Sequence, residues 1–314
     1  MNKNLYVVLM AGGIGTRFWP FSRNLKPKQF LDVLGIGKTL IQTTFERYQS
    51  ICPAENVWIV THEELSGLVQ EQLPMIHSNQ ILAEPMRKNT APCIAYAANK
   101  ILLKDPDAVM IVCPTDHLIL SEKEFLSTIQ KAVDQARSQD KLITLGIQPT
   151  RPETGYGYIQ FLEGKSSLKK VKTFTEKPAI ALAKTFLASG DFVWNSGIFV
   201  WGVKAILGSF HKYLPELYEA FEEIRPQMNT VDEKRAVTKV YAQTKNISID
   251  YGVMEKADNV YVSLGNFSWS DLGSWAALHE VSKKDDHNNV VNGESLVYET
   301  RNSVIKGSSD QLLV

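Results

Sequence analysis

The sequence predicts an α/β protein built on a mainly parallel, doubly wound mixed sheet with helices on both faces, and three observations carry that prediction. Short apolar runs alternate with longer amphipathic stretches through the first half of the 314 residues. The short runs are apolar throughout rather than at every second position, as expected of strands covered on both faces. The longer stretches have helical period and are long enough to serve as crossovers between parallel strands. In order, residues 5–10, 57–61, 80–83, 109–113 and 142–145 read as strands, and residues 40–51, 63–73, 91–104 and 122–138 read as helices. The last helix opens on a capping box, Ser121 with Glu124, after which Phe125, Ile129 and Val133 recur at helical spacing. Ligands bind such sheets at the carboxyl ends of the strands.

From Gly155 to Trp201 the pattern changes. Residues 156–161, 171–174 and 197–200 read as strands, but their loops are polar and carry aromatic side chains, which predicts a second lobe over about residues 150–260. Helical stretches follow at 203–225 and 231–243. After Asp285 come strand-like pieces at 290–291, 295–299 and 303–306, separated by Asn, Gly and Ser. The expected division is therefore a main unit over 1–284 and a β-rich segment over 285–314, either a small appendage or an incomplete β-helix. Its apolar end, Leu312-Leu313-Val314, is expected to be covered by further chain or by a partner subunit.

Composition narrows the function classes. Lys plus Arg and Asp plus Glu both number 34, so there is no global charge to attract nucleic acid or an anionic membrane. Any phosphate site must be a local basic cluster. The three cysteines, Cys52, Cys93 and Cys113, lie in or near apolar runs without CxxC spacing, which favours buried thiols in a reducing compartment. Neither a signal peptide nor a bilayer-spanning run is visible, and a cytoplasmic protein is expected.

The strongest local signal is Leu9-Met10-Ala11-Gly12-Gly13-Ile14-Gly15-Thr16-Arg17. Glycines directly after the first strand let backbone N–H groups approach an anion, and Arg17 adds a forked donor for phosphate oxygens. The segment is neither a Walker A loop nor a GxGxxG fingerprint. A tight turn without a ligand is the plain alternative, but Arg17, Arg23 and Lys28 put three cations beside this one loop. A triphosphate would neutralise them.

With the FWPxSR element at 18–23 and PKQFL at 27–31, the opening resembles that of sugar nucleotidyltransferases, and the FWP is similar to the mannose-1-phosphate guanylyltransferase branch. The similarity runs to about Glu280. It implies a Rossmann-like nucleotide-diphospho-sugar transferase fold, a triphosphate held by Arg17 and Lys28 over Ala11, Gly12, Gly13, Gly15 and Thr16, and Mg²⁺ as cofactor. Glu84, at the end of the third strand, is an acceptor-only carboxylate suited to the adjacent N1–H and amino donors of guanine. The competing role for Glu84 is a surface ion pair with Arg87 or Lys88, whose own roles stay open. Asn89 and Thr90 either line the base site or cap the next helix.

Pro114-Thr115-Asp116-His117 follows the 109–113 strand. A single hard carboxylate such as Asp116 suffices for Mg²⁺ with one partner and phosphate oxygens. The resemblance pairs it with Asp271; read alone, Asp271 could equally cap a helix at 272–280. His117 lacks the company for zinc and reads as structural. Gly157 in the GYGYI segment, Glu176 and Lys177 in an FxEKP-like segment, and Asn195 in WNSGIF suit a hexose phosphate, with Lys177 opposite the phosphate and Glu176 and Asn195 on hydroxyls. Asp250 is a further sugar contact or a structural residue. In the family the position of Gly252 is more usually Ala.

The expected reaction is in-line attack of mannose 1-phosphate on the α-phosphorus of GTP, releasing pyrophosphate and forming GDP-mannose, with Arg17, Lys28 and Lys177 as the catalytic cations. The rivals are UTP or dTTP chemistry, which Glu84 and the FWP element oppose, and a catalytically idle sensor of nucleotide sugars. A glycosyltransferase would carry Asp-x-Asp where Thr115-Asp116-His117 stands. Oligomeric state is left open, with a homodimer as one expectation.

Overall fold

The computed structural model of the protein describes residues 3–137, 139–164 and 166–307. Ser138 and the apolar 312–314 terminus lie outside the described residues. The elements in chain order are β1 (Leu5–Met10), α1 (Leu40–Tyr48), β2 (Val57–His62), α2 (Ser66–Gln72), β3 (Ile81–Glu84), α3 (Thr90–Lys104), β4 (Val109–Pro114), β5 (Leu118–Ile119) and α4 (Glu122–Arg137). Then follow β6 (Leu142–Ile147), β7 (Tyr158–Phe161), β8 (Leu168–Thr175), α5 (Ile180–Ser189), β9 (Phe192–Gly202), α6 (Val203–Tyr213), α7 (Pro215–Ile224) and α8 (Glu233–Gln243). The last are β10 (Val260–Leu264), β11 (Trp269–Ser270), α9 (Trp275–Val281), β12 (Val290–Asn292) and β13 (Val304–Lys306).

The main sheet runs β3-β2-β1-β4-β9-β6-β10-β8-β7. β1 pairs in parallel with both β2 and β4, so the strand order reverses at β1. The carboxyl ends of β1 and β4 therefore lie side by side, and the loops that leave them meet through Lys28 and Asp116. β9 enters antiparallel between β4 and β6, and its first half pairs with β7 instead of β4. The strands β9, β6, β10, β8 and β7 thereby close a ring of pairings.

Alternate side chains of β1 feed two cores. Leu5, Val7 and Leu9 pack with α1, α2 and α4, whereas Tyr6 and Val8 pack with α3, α6, α7 and α8. A third, smaller cluster joins Phe18, Leu31, Val33 and Leu40 to Leu118, Leu272 and Leu278 beneath the loops that follow β1 and β11.

Several local expectations are corrected. The predicted helix at 203–225 is two helices, because Pro215 cannot continue α6 and instead starts α7 at its first position. The helix expected at 272–280 with Asp271 as its cap is α9, which begins at Trp275 with Ser274 Oγ accepting from Ala277 N. Residues 295–299 form no strand. β12 and β13 pair in parallel as a short two-stranded unit, and Lys306 ties it to the main unit through the carbonyls of Asp32 and Val33.

Candidate active site

The crevice begins where β1 gives way to the glycine loop. Gln29, itself buried, donates from Nε2 to the carbonyls of Ala11 and Gly13, both at 2.9 Å. Thr61 Oγ1 also donates to the Ala11 carbonyl. With these carbonyls pulled inward, the N–H groups of Gly12, Gly13, Ile14 and Gly15 donate to no protein acceptor among the described residues. Successive backbone donors left in this way are of the kind that can hold an anion. Gly15 has φ +63°, and a Cβ there would lie 2.8 Å from the backbone nitrogen of Lys28. Both backbone conformation and space require glycine at this position. Arg17 and Arg23 are exposed, with no ion pair among the described residues.

Lys28 is differently placed. Its side chain is buried beneath the loop, 5.8 Å from the Phe18 ring centre. Nζ donates to the carbonyls of Asp271 at 2.7 Å and Leu272 at 3.1 Å, and lies 3.0 Å from Asp116 Oδ2. The structure thus brings Asp116, after β4, and Asp271, after β11, to the same ammonium. Burial works to raise the Asp116 carboxyl, but Lys28 and then His117 outweigh it and hold it below the usual carboxylate value. Tyr156 OH donates to Asp271 Oδ1 at 2.7 Å, and Gly273 N donates to the same oxygen. Asp271 Oδ2 takes no hydrogen bond among the described residues, and His117 Nε2 lies 3.7 Å from Asp116 Oδ1. Leu272 holds φ +46°, a strained conformation that the surrounding bonds stabilise.

His117 packs edge-on against Trp269, whose Nε1 donates to His117 Nδ1 at 3.3 Å. Burial keeps the imidazole below its ordinary value despite the Asp116 charge. It is neutral, with its ring proton on the nitrogen facing Asp116, and behaves as the structural histidine expected.

Glu84 is 5% exposed, which excludes the surface ion pair. Arg87 instead lies 4.0 Å from Glu64. Tyr241 OH donates to Glu84 Oε1 at 3.0 Å, while Oε2 faces Gly12, 3.4 Å from where a Cβ would stand. Burial pushes the Glu84 carboxyl up to about 7, against the Tyr241 hydrogen bond and the Arg87 charge. Asn89 and Thr90 are in structural use. Asn89, at φ +70°, accepts from Thr90 N through its side-chain oxygen, and Thr90 Oγ1 accepts from Ile249 N.

The second-lobe residues converge. Asn195 Nδ2 donates to Asp250 Oδ1 at 2.9 Å, and Asn195 Oδ1 accepts from Thr144 Oγ1 at 2.7 Å. Asp250 opens a single π-helical turn, Asp250–Met254, and burial, then the Glu176 charge, push its carboxyl up to about 7. Lys177 Nζ donates to Glu176 Oε1 at 2.7 Å, and Glu176 Oε2 is buried with no hydrogen-bond partner among the described residues. That oxygen sits against Gly157, where any Cβ would collide with it. The Lys177 backbone nitrogen donates to the Tyr156 carbonyl, linking this cluster to Asp271 through one residue.

The Nucleotidyl transferase family profile matches residues 6–288. The chain belongs to that family. Two curated relatives, both named mannose-1-phosphate guanylyltransferase, bear on this nucleotidyl transferase. One from Klebsiella pneumoniae is 39% identical over 99% of this chain and 66% of its own length. One from Escherichia coli is 36% identical over 97% of this chain and 67% of its own length. The chain therefore spans about two thirds of the length of the curated relatives it matches. A crystal structure described as a mannose-1-phosphate geranyltransferase, from Thermus thermophilus, is 33% identical with a TM-score of 0.84 over 98% of this chain and 90% of that one. Among the described residues of this nucleotidyl transferase, no helix is long and apolar enough to cross a membrane.

The sequence alone showed no sign of Gln29 and Tyr241 as parts of the site, nor of the bond from Tyr156 to Asp271. Gln29 lay in a quoted motif, but its role depends on which carbonyls it meets. Tyr241 follows Val237 and Val240 at helical spacing and looks like any core aromatic.

Proposed function

We propose that the chain transfers GMP from GTP to mannose 1-phosphate, giving GDP-mannose and pyrophosphate. One observation carries the reading: Glu84 beside the glycine loop, Lys28 joining Asp116 to Asp271, Asp271 bonded to Tyr156, and Tyr156 bonded to Lys177 of the Lys177–Glu176–Asn195–Asp250 group lie as successive neighbours. In this reading it puts a buried carboxylate for the base, backbone donors for the polyphosphate and a cluster of ammonium, carboxylate and amide groups for the sugar phosphate next to one another. The relatives' names differ in the group transferred. A buried carboxylate beside backbone donors suits guanine on a triphosphate and has no use for an isoprenoid. It also opposes uracil or thymine, whose facing carbonyl would meet it as a second acceptor.

In this reading Gly12, Gly13, Gly15 and Thr16, with Arg17, hold the triphosphate, and Glu84 accepts from guanine. Lys177 meets the sugar phosphate; Glu176, Asn195 and Asp250 meet sugar hydroxyls. A phosphate oxygen of mannose 1-phosphate forms the new bond to the α-phosphorus as the bond to the β-phosphate oxygen breaks, and the electron pair leaves with pyrophosphate. The nucleophile is already an anion, so no side chain need be deprotonated. The protein aligns two mutually repelling anions and holds positive charge against the leaving group. Asp116 and Asp271 fit Mg²⁺, since each keeps one carboxylate oxygen without a hydrogen bond among the described residues. Bound there, the ion would neutralise phosphate charge. Lys28 holds both aspartates in register and offers its charge close by. Residues 285–314 are read as an appendage to a catalytic unit over 1–284, whose lobe at about 150–260 takes the sugar.

The test is pyrophosphate release with Mg²⁺, crossing GTP, ATP, UTP and dTTP against mannose, glucose and N-acetylglucosamine 1-phosphates. Release confined to GTP with mannose 1-phosphate is expected. A different preferred pair overturns the assignments of Glu84 and the sugar cluster.

A further inference from the structure

The base-reading carboxylate is held from a part of the chain with no other link to the nucleotide. Tyr241 lies on α8, far from the glycine loop in sequence, and its side chain is fully buried. Its hydroxyl makes one hydrogen bond, to Glu84 Oε1. The ring packs edge-on to Phe221 of α7, with centroids 6.3 Å apart. With Oε1 fixed by this bond to Tyr241, the plane of the carboxylate is set and Oε2 faces Gly12, while both oxygens keep lone pairs for further donors.

We infer that Tyr241 is a positioning residue that orients Glu84 toward the purine and keeps it an acceptor. The inference rests on the base-reading role of Glu84. Guanine must find an ionised carboxylate, because a protonated one would turn a donor toward donors. Around Glu84 the titratable neighbours are Tyr241 from α8, Arg87 from the loop after β3, and Cys93 and Tyr96 from α3. The Cys93 and Tyr96 groups stay neutral, both raised by burial. Arg87 is partly exposed and leans toward Glu64. Tyr241 is therefore the only one of the four that donates a hydrogen bond to the carboxylate, and removing that donor favours the protonated form. Loss of the hydroxyl should thus weaken nucleotide affinity and move its pH dependence, while the sugar-phosphate half is untouched.

The experiment is steady-state kinetics of Tyr241→Phe between pH 6 and 9, with thermal melting measured alongside. KM for GTP should rise about tenfold at pH 7, as for one lost hydrogen bond to a charged group, with KM for mannose 1-phosphate unchanged. The acidic limb of kcat/KM for GTP should move to higher pH. Replacing Tyr241 by 3-fluorotyrosine keeps the ring and strengthens the donor, so the same limb should move to lower pH, which serves if the Phe variant does not fold. A lower melting temperature with an unmoved limb and unchanged KM would make Tyr241 a packing residue only and overturn the inference. Glu84→Gln separates the two readings. If it leaves GTP selectivity intact, the role of Glu84 and this inference fall together. If it abolishes selectivity while both Tyr241 variants behave as the parent, only this inference falls.

Discussion

Lys28 stands between the two aspartates of the crevice, with Nζ 3.0 Å from Asp116 Oδ2 and donating at 2.7 Å to the carbonyl of Asp271. The third donor goes to the Leu272 carbonyl, so all three N–H bonds are used inside the protein. A lysine committed in this way acts on the reaction through fixed charge and alignment rather than by gripping a substrate from solution. Lys28→Ala is expected to lower kcat by about 100-fold or more and to leave KM for GTP within about threefold. Initial-rate kinetics separate the two; a mainly raised KM with intact kcat would show Lys28 to be a binding residue. The same variant leaves Asp116 without its partner, and a stability loss of roughly 1–3 kcal/mol is expected in denaturant unfolding.

Asp116→Asn and Asp271→Asn keep size and hydrogen bonding but remove the charge on which a divalent cation depends. Each should reduce Mg²⁺-dependent pyrophosphate release by at least about 100-fold. Direct Mg²⁺ titration by calorimetry, with nucleotide present, should show weakened binding in both. Full activity in either variant removes that aspartate from the metal role.

Gly157 offers a test confined to the sugar half. Any side chain there meets Glu176 Oε2, and Asn195 Cβ stands only 3.3 Å away. Gly157→Ala must therefore displace the carboxylate that has no other partner. KM for mannose 1-phosphate should rise by about tenfold or more, in line with one charged hydrogen bond, while KM for GTP stays near the parent value. Equal effects on both substrates would mean that the two halves of the crevice do not function separately.

The first half of the sheet was legible because its parallel strands are buried on both faces and read as unbroken apolar runs. β1, β2, β3 and β4 differ from expectation by a residue or so at either end. The second half was legible only in part: 142–145 and 156–161 found β6 and β7, and β10 was not expected. The runs 171–174 and 197–200 caught pieces of β8 and β9, where lysines and the Asn195-Ser196 pair interrupt the apolar run. α5 escaped notice since Ala183 is its one fully buried residue and it shows no apolar stripe. In the site, the glycine spacing marked the loop whose backbone donors meet no protein acceptor among the described residues, but not that Lys28 would be buried apart from Arg17 and Arg23. What no local pattern contains is which cation meets which carboxylate. Lys28, Asp116 and Asp271 are brought together only by the reversal at β1 and the small core around Phe18 and Leu272.

Glu84 and Asp250 make the crevice a source of pH-dependent instability. Both carboxyls are pushed up to about 7, Glu84 by burial and Asp250 by burial and then by the Glu176 charge. In the unfolded chain they return to about 4. Between those values the folded state binds more protons than the unfolded state, so stability falls as pH rises from about 4 to about 7 and levels off above. The depressed carboxyl of Asp116 acts oppositely, but only below its unfolded value, where its stabilising ionisation is lost as pH falls. The ligand-free protein should therefore melt higher at pH 5.5 than at pH 8. Glu84→Gln should flatten that slope and raise stability at pH 8 by at most about 3 kcal/mol. The same substitution should weaken GTP binding, because the ionised carboxylate that costs stability in the empty crevice is the one the base requires. Saturating GTP should reverse the ranking of parent and variant at pH 8, since a ligand that binds the folded state adds stability in proportion to its affinity. A parent protein that melts at the same temperature from pH 5.5 to 8 would mean that water or a rearrangement already solvates Glu84 and Asp250, and the tension between folding and base recognition would not exist.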